Sequence, residues 1–149
     1  FGVESPLIAD TATNRKLTDT YVSIRNHPED FPGMIQDIVR RNRGGIFKDI
    51  SVESGSIGIH LTRLWKGEVG MIILKPTFET PWDSTPIVGM NIALDFVHIM
   101  LDRVTLEVFS VKKTIAQNIF QANYIEIILH KSYVPEILAW ITAWKEGHL

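Results

Sequence analysis

Residues 55–75 read Gly-Ser-Ile-Gly-Ile-His-Leu-Thr-Arg-Leu-Trp-Lys-Gly-Glu-Val-Gly-Met-Ile-Ile-Leu-Lys. Ile57, Leu61, Leu64 and Trp65 recur at helical spacing, which predicts an amphipathic helix from Gly55 to Lys66. Gly67 stands where a left-handed residue closes such a helix. Glu68 to Leu74 follows at once, a short apolar run bounded by Gly67 and Lys75-Pro76. It is too short for a stable helix and suits a buried strand. A helix feeding directly into an apolar strand is the signature of an α/β fold.

The rest of the chain agrees with that start. Upstream, Tyr21 to Arg25 alternates and is rich in β-formers, so it predicts a strand ending at Asn26-His27-Pro28. Phe31, Met34, Ile35, Ile38 and Val39 share one helical face, and Arg43-Gly44-Gly45 closes that helix before a strand at Ile46 to Ile50. Downstream, Pro76 to Pro81 is expected to be a loop. Thr85 before Pro86 has the pattern of an N-cap and a proline at the first helical position, with Ile87, Met90, Ala93 and Leu94 on one face. Val97 to Leu101, Val104 to Phe109 and Tyr124 to Leu129 read as strands, and Pro135 to Trp144 as a last helix. Lys112 to Ala122 suits either a helix or a hairpin arm. The expectation is a mixed β-sheet flanked by helices, with residues 1–20 an irregular lead-in and 21–149 a single α/β domain.

Composition narrows the function classes. The 149 residues are 45% hydrophobic and 21% charged, which supports one packed domain. Fifteen Lys and Arg against 17 Asp and Glu give a net charge of −2, no field that would gather nucleic acid. No apolar stretch approaches the roughly 20 residues of a membrane-spanning helix. The absence of cysteine excludes disulfides, thiolate metal sites and thiol nucleophiles, and fits a cytoplasmic protein. No export signal is visible at the start, and the first residue, Phe1, raises the prospect of a piece of a longer polypeptide.

Two turns could carry chemistry. Glu53-Ser54-Gly55-Ser56-Ile57-Gly58 precedes a helix whose first N–H groups are unpaired; small residues there either form a simple cap and turn or let an anion approach the backbone. Asp83 in Pro81-Trp82-Asp83-Ser84-Thr85-Pro86 sits at or just before a helix start. It is either a capping residue or a ligand for a hard cation such as Mg²⁺. The five histidines are dispersed without zinc-binding spacing. His60 and Arg63 suit a solvated face better than a phosphate contact, and Arg40-Arg41-Asn42-Arg43 suits the negative end of its helix.

In order, a Gly-Ser-Ile turn, a helix, an apolar strand and Trp82-Asp83 entering a helix resemble the C-terminal half of the inositol monophosphatase superfamily. These are Mg²⁺-dependent, lithium-inhibited phosphatases that include bisphosphate nucleotidases. Ser23-Ile24-Arg25-Asn26-His27 stands where the family has a Ser-Arg-Ser-His-like strand end, and Ser84-Thr85-Pro86 is similar to the Thr-Cys-Ala-Pro of the nucleotidase branch. The resemblance implies that Asp83 ligates Mg²⁺ and touches substrate, that Gly55, Ser56 and Ile57 contact a sugar or inositol ring, and that Lys75 reads a second phosphate. It implies a phosphomonoesterase lobe acting on an inositol phosphate, a sugar phosphate or a 3′-phosphonucleotide. The chain departs from the family at Asp95-Phe96, where a Gly-Gly pair is usual, so a different turn is expected there. It also lacks the Glu-Glu pair and the Asp-Pro-Ile-Asp-Gly-Thr motif of the family's N-terminal half. A missing N-terminal lobe or a second copy would have to complete the metal centre. The competing expectation is a non-catalytic interaction module whose Trp140 and Trp144 face packs on a partner.

Overall fold

A computed structural model describes residues 15–111, 113 and 117–149. The elements run β1 (Tyr21–Ile24), α1 (Gly33–Val39), β2 (Asp49–Val52), α2 (Ile57–Trp65), β3 (Met71–Leu74), β4 (Phe78–Glu79), α3 (Pro81–Ala93), β5 (Phe96–Asp102), β6 (Val108–Ser110), β7 (Phe120–Gln121), β8 (Tyr124–His130) and α4 (Val134–Lys145). Six strands form one mixed sheet in the order β2-β1-β3-β8-β5-β6, while β4 and β7 pair separately. Strand β1 is parallel to β2 and β3. Strand β8 is antiparallel to β3 and β5, and β6 is antiparallel to β5. This is the mixed sheet flanked by helices that the sequence predicts.

The central strands are apolar because both sheet faces are covered. Met71, Ile73, Ile125, Ile127 and Leu129 point into a core shared with Met34, Ile35 and Ile38 of α1 and Ile137 and Ile141 of α4. Ile72 and Ile128 point the other way, onto Leu61 and Leu64 of α2, with Ile87 of α3 packed alongside. Side chains alternate along a strand, so Tyr124 and Glu126 share the α2/α3 face with Ile128, as His98 does with Phe96. That face carries the candidate site. Among the described residues no helix is long and apolar enough to cross a membrane.

Several boundaries differ from the sequence expectation for identifiable reasons. The strand placed at Ile46 to Ile50 lies at Asp49–Val52. Phe47 is drawn wholly into the core, and β1 pairs instead with the more polar segment, a suitable edge strand. In the segment Val104 to Phe109, the Asp102 carboxylate accepts the backbone N–H groups of Val104 and Thr105, both at 2.8 Å, forming a turn; only Val108–Ser110 is strand. Helix α3 starts at Pro81, with Thr80 as N-cap, and runs through Pro86. Asp95 takes φ +62°, the left-handed conformation that a glycine adopts most readily after a helix. Of Lys112 to Ala122, residues 112 and 114–116 lie outside the described residues, as do residues 1–14 of the lead-in.

The tryptophan face expected to meet a partner is closed within the chain. Trp140 belongs to the core and donates its Nε1–H to the Gly44 carbonyl at 3.0 Å. Trp144 donates to Asp37 Oδ2 at 2.9 Å. An indole stem buried in apolar contacts with its N–H satisfied is a core anchor. Arg40 and Arg43 pair with Glu29 and Asp37.

Candidate functional site

Parallel strands β1 and β3 end on the same side of the sheet, and beyond their carboxyl ends lies a cleft of about 370 Å³. Ligands of open α/β sheets bind at such a place. Arg25 and Asn26 enter it from the end of β1, and Leu74 and Lys75 from the end of β3. One wall is the turn into α2, the other the first turn of α3, so the positive ends of two helices flank the same space.

Gly55, Ile57, Lys75 and Asp83 all line the cleft. Gly55 has φ +134°, a conformation that side-chain-bearing residues avoid, and no heavy atom lies within 4 Å of where its Cβ would be. Ser56 takes a different role. It is the N-cap of α2, its hydroxyl accepting the Gly58 N–H at 3.2 Å, and it is not among the lining residues. Asp83 is exposed in the first turn of α3, where Thr80 Oγ1 donates to its Oδ2 at 2.7 Å. Lys75 is half-exposed, 3.9 Å from Asp30 Oδ2, a pairing too open to hold it firmly.

Other sequence candidates stand apart. His60 is buried, and its Nδ1 hydrogen-bonds Ser23 Oγ at 2.8 Å; burial, reinforced by the Arg25 charge, holds its pKa below the ordinary value. Arg63 pairs with Glu53 and Glu68 on the outside of α2, so these two residues do not form a phosphate site.

The floor of the cleft holds residues that the sequence reading did not select. Lys113 Nζ lies 2.8 Å from Glu79 Oε2 and 2.8 Å from Glu126 Oε2. Glu126 Oε1 accepts His98 Nδ1–H at 2.5 Å, and Tyr124 donates its hydroxyl to Glu79 Oε1 at 2.7 Å. Behind them Trp65 Nε1–H donates to Asn91 Oδ1 at 2.7 Å, and Asn91 Nδ2 lies 2.7 Å from His98 Nε2. An indole only donates, so it fixes the Asn91 amide; the amide then presents its NH₂ to His98. His98 is therefore the neutral tautomer that accepts at Nε2 and donates at Nδ1. Burial raises the Glu126 carboxyl, but the His98 hydrogen bond and Lys113 charge outweigh it and hold the group below its ordinary value. Burial and the Glu79 carboxylate push the Tyr124 phenol up. One signal was present in the sequence: a glutamate and a histidine each interrupt an otherwise apolar strand.

The donor set tests the fit of a metal. Among the described residues no group of three or more His, Asp or Glu side chains could hold a metal ion. Glu79 and Glu126 already share the Lys113 ammonium, which stands between them where a cation would otherwise be drawn. The described residues therefore form no complete Mg²⁺ centre.

No family model and no curated protein matches the chain. Solved structures do. An inositol monophosphatase/NADP phosphatase, complexed with Mg²⁺ and phosphate, matches 85% of this chain and 40% of its own at TM-score 0.53 and 20% identity. Inositol monophosphatase II from Staphylococcus aureus MSSA476 matches 80% of this chain and 38% of its own at 0.52 and 13%. The Thermotoga maritima inositol monophosphatase matches 90% and 44% at 0.51 and 14%. The chain thus spans less than half the length of each of these three proteins, and what it shares with them is the fold of that part.

Proposed function

We propose that this chain is the C-terminal lobe of an Mg²⁺-dependent phosphomonoesterase acting on an inositol phosphate, a sugar phosphate or a 3′-phosphonucleotide. One observation carries the reading: Gly55, Ile57, Lys75 and Asp83, singled out by sequence resemblance, line one cleft at the carboxyl ends of parallel strands. The neighbours support it, since their structures hold Mg²⁺ and phosphate, inositol monophosphate, or 2′-AMP. Bound Mg²⁺ would supply Lewis-acid activation of water and of the ester oxygen. In this chain Asp83 would provide one carboxylate ligand, held at the cleft mouth by Thr80. The helix starts would add positive potential for the phosphate, and Lys75 would meet a second anionic group. A missing N-terminal lobe or a second copy would provide the remaining ligands.

The alternative, an α/β module that binds without catalysing, rests on the single carboxylate at the cleft mouth. Mg²⁺-dependent phosphate release by the full-length protein from inositol 1-phosphate and 2′-AMP separates the two. Asp83→Asn is expected to lower kcat/KM by about 100-fold or more, as loss of a charged ligand acting on the transition state does. Unchanged turnover in the variant overturns the assignment; no turnover in the wild-type protein favours the binding module.

A further inference from the structure

Three neutral side chains join α2, α3 and β5 in a fixed order. Trp65 Nε1–H donates to Asn91 Oδ1 at 2.7 Å, and Asn91 Nδ2 lies 2.7 Å from His98 Nε2. Asn91 is fully buried and His98 is 4% exposed, so neither can turn to water, whereas Trp65 is half-buried. An amide has one accepting end and one donating end, and an indole only donates. The chain is therefore consistent only while His98 Nε2 carries a lone pair. On the other side of the ring, Nδ1 lies 2.5 Å from Glu126 Oε1, a carboxylate that would pair with an imidazolium. Glu126 of β8 is the charged group that bonds the ring. Its carboxylate is shared with Lys113, from the segment after β6, and that ammonium also pairs with Glu79 of β4. His130, farther along β8, has its ring against Phe96 and its Nδ1 against Ser132. Helices α2 and α3 contribute the uncharged Trp65 and Asn91.

We propose that the Trp65–Asn91–His98 chain is a proton-operated latch between α2 and α3. A proton from solvent bonds to the Nε2 lone pair of His98, and that new N–H then faces the Asn91 NH₂, donor against donor. The conflict is relieved when the Asn91 amide turns over. Its Oδ1 then accepts from the imidazolium, its NH₂ faces the indole N–H, and the Trp65 hydrogen bond is lost. That bond gives way because a charged donor gains about twice as much from a hydrogen bond as a neutral one, and the half-buried indole finds water. No covalent bond breaks, and the Glu126 carboxylate keeps its place on Nδ1–H. Trp65 stands eight residues beyond Ile57 and Asn91 eight beyond Asp83, about 12 Å along each helix from the cleft-lining turns. Acid therefore unties the two walls of the cleft from each other behind the ligand space. The latch is independent of what the cleft binds.

The test is an NMR titration of the full-length protein from about pH 8 to about pH 5, the range in which an imidazole takes up a proton. Long-range ¹H–¹⁵N correlations read the His98 ring, and the indole N–H signal reads Trp65. The expected result is a proton on Nδ1 alone at the alkaline end, then uptake at Nε2 with the Trp65 signal moving upfield at the same midpoint. Two variants isolate the cause. In Trp65→Phe the amide turns freely, so His98 should bind its proton about threefold or more tightly than in the wild type. In Asn91→Asp one carboxylate accepts from both neighbours, so the proton affinity should rise about tenfold or more and the indole signal should stop following pH. A proton on Nε2 rather than Nδ1 at the alkaline end overturns the proposal. So does a His98 that takes up no proton, or one that does so without moving the Trp65 signal. Each of these is read on the wild-type protein. An unchanged proton affinity in either folded variant overturns it as well.

Discussion

Replacing Asn91 by leucine should be among the most damaging single changes on the α2/α3 face. Asn91 is fully buried and joins α2 to β5 through Trp65 and His98. Leucine keeps the volume but strands two polar atoms, the Trp65 indole N–H and His98 Nε2. The imidazole nitrogen is buried, and an unsatisfied group of that kind costs about 1–3 kcal/mol. The indole is half-buried and recovers part of its loss from water, which puts the sum at about 2–4 kcal/mol. That is a large share of the roughly 5–15 kcal/mol by which a domain is stable. In a chain of this size each kcal/mol moves Tm by about 2–4 °C, so a fall of the order of 5–15 °C is expected. Urea unfolding followed by circular dichroism measures it, and Trp65→Phe in both backgrounds completes a double-mutant cycle. A coupling of about 1 kcal/mol between the two sites is expected. A loss below about 0.5 kcal/mol for Asn91→Leu, with no coupling, refutes the view that this amide is a required junction.

Gly70→Ala should destabilise by about 1–3 kcal/mol, because the added Cβ would lie 2.3 Å from Thr20 Oγ1, a hydroxyl held by the Leu17 carbonyl; the same urea titration reads it. Acid should weaken the fold through Glu126, whose native pKa lies below the ordinary 4.5. A depressed carboxyl contributes stability above that value and loses it as pH falls through the native one, so Glu126→Gln should flatten the stability profile below about pH 4.5. His60 acts in a higher window: its native pKa lies below 6.5, so the unfolded chain takes up the proton first and stability falls as pH drops below that value. His60→Asn should remove part of this slope, measured by unfolding at a series of pH values.

Periodicity made the sheet and its helices readable. Ile72 and Ile128 on one face, with Met71, Ile73, Ile127 and Leu129 on the other, account for the short apolar runs that mark buried strands. It failed where a local contact overrode the pattern: Phe47 left its strand for the core, and the Asp102 carboxylate turned an alternating segment into a loop. Thr80 rather than Thr85 caps α3, which moves Asp83 into the first turn. Gly55 and Asp83 could be chosen from the sequence because a glycine turn and an acid at a helix start have local signatures. Of the Glu79–Lys113–Glu126 floor only Glu126, a glutamate inside an apolar strand, has one. Its members come from β4, from the segment after β6 and from β8, and only the pairing of the strands brings them together.

The most direct measurement is a crystal structure of the full-length protein grown with Mg²⁺ and inorganic phosphate. Phosphate is expected between the Gly55 turn and the first turn of α3, with the Asp83 carboxylate on the cation. Phosphate and cation bound elsewhere, with Asp83 touching neither, would contradict it.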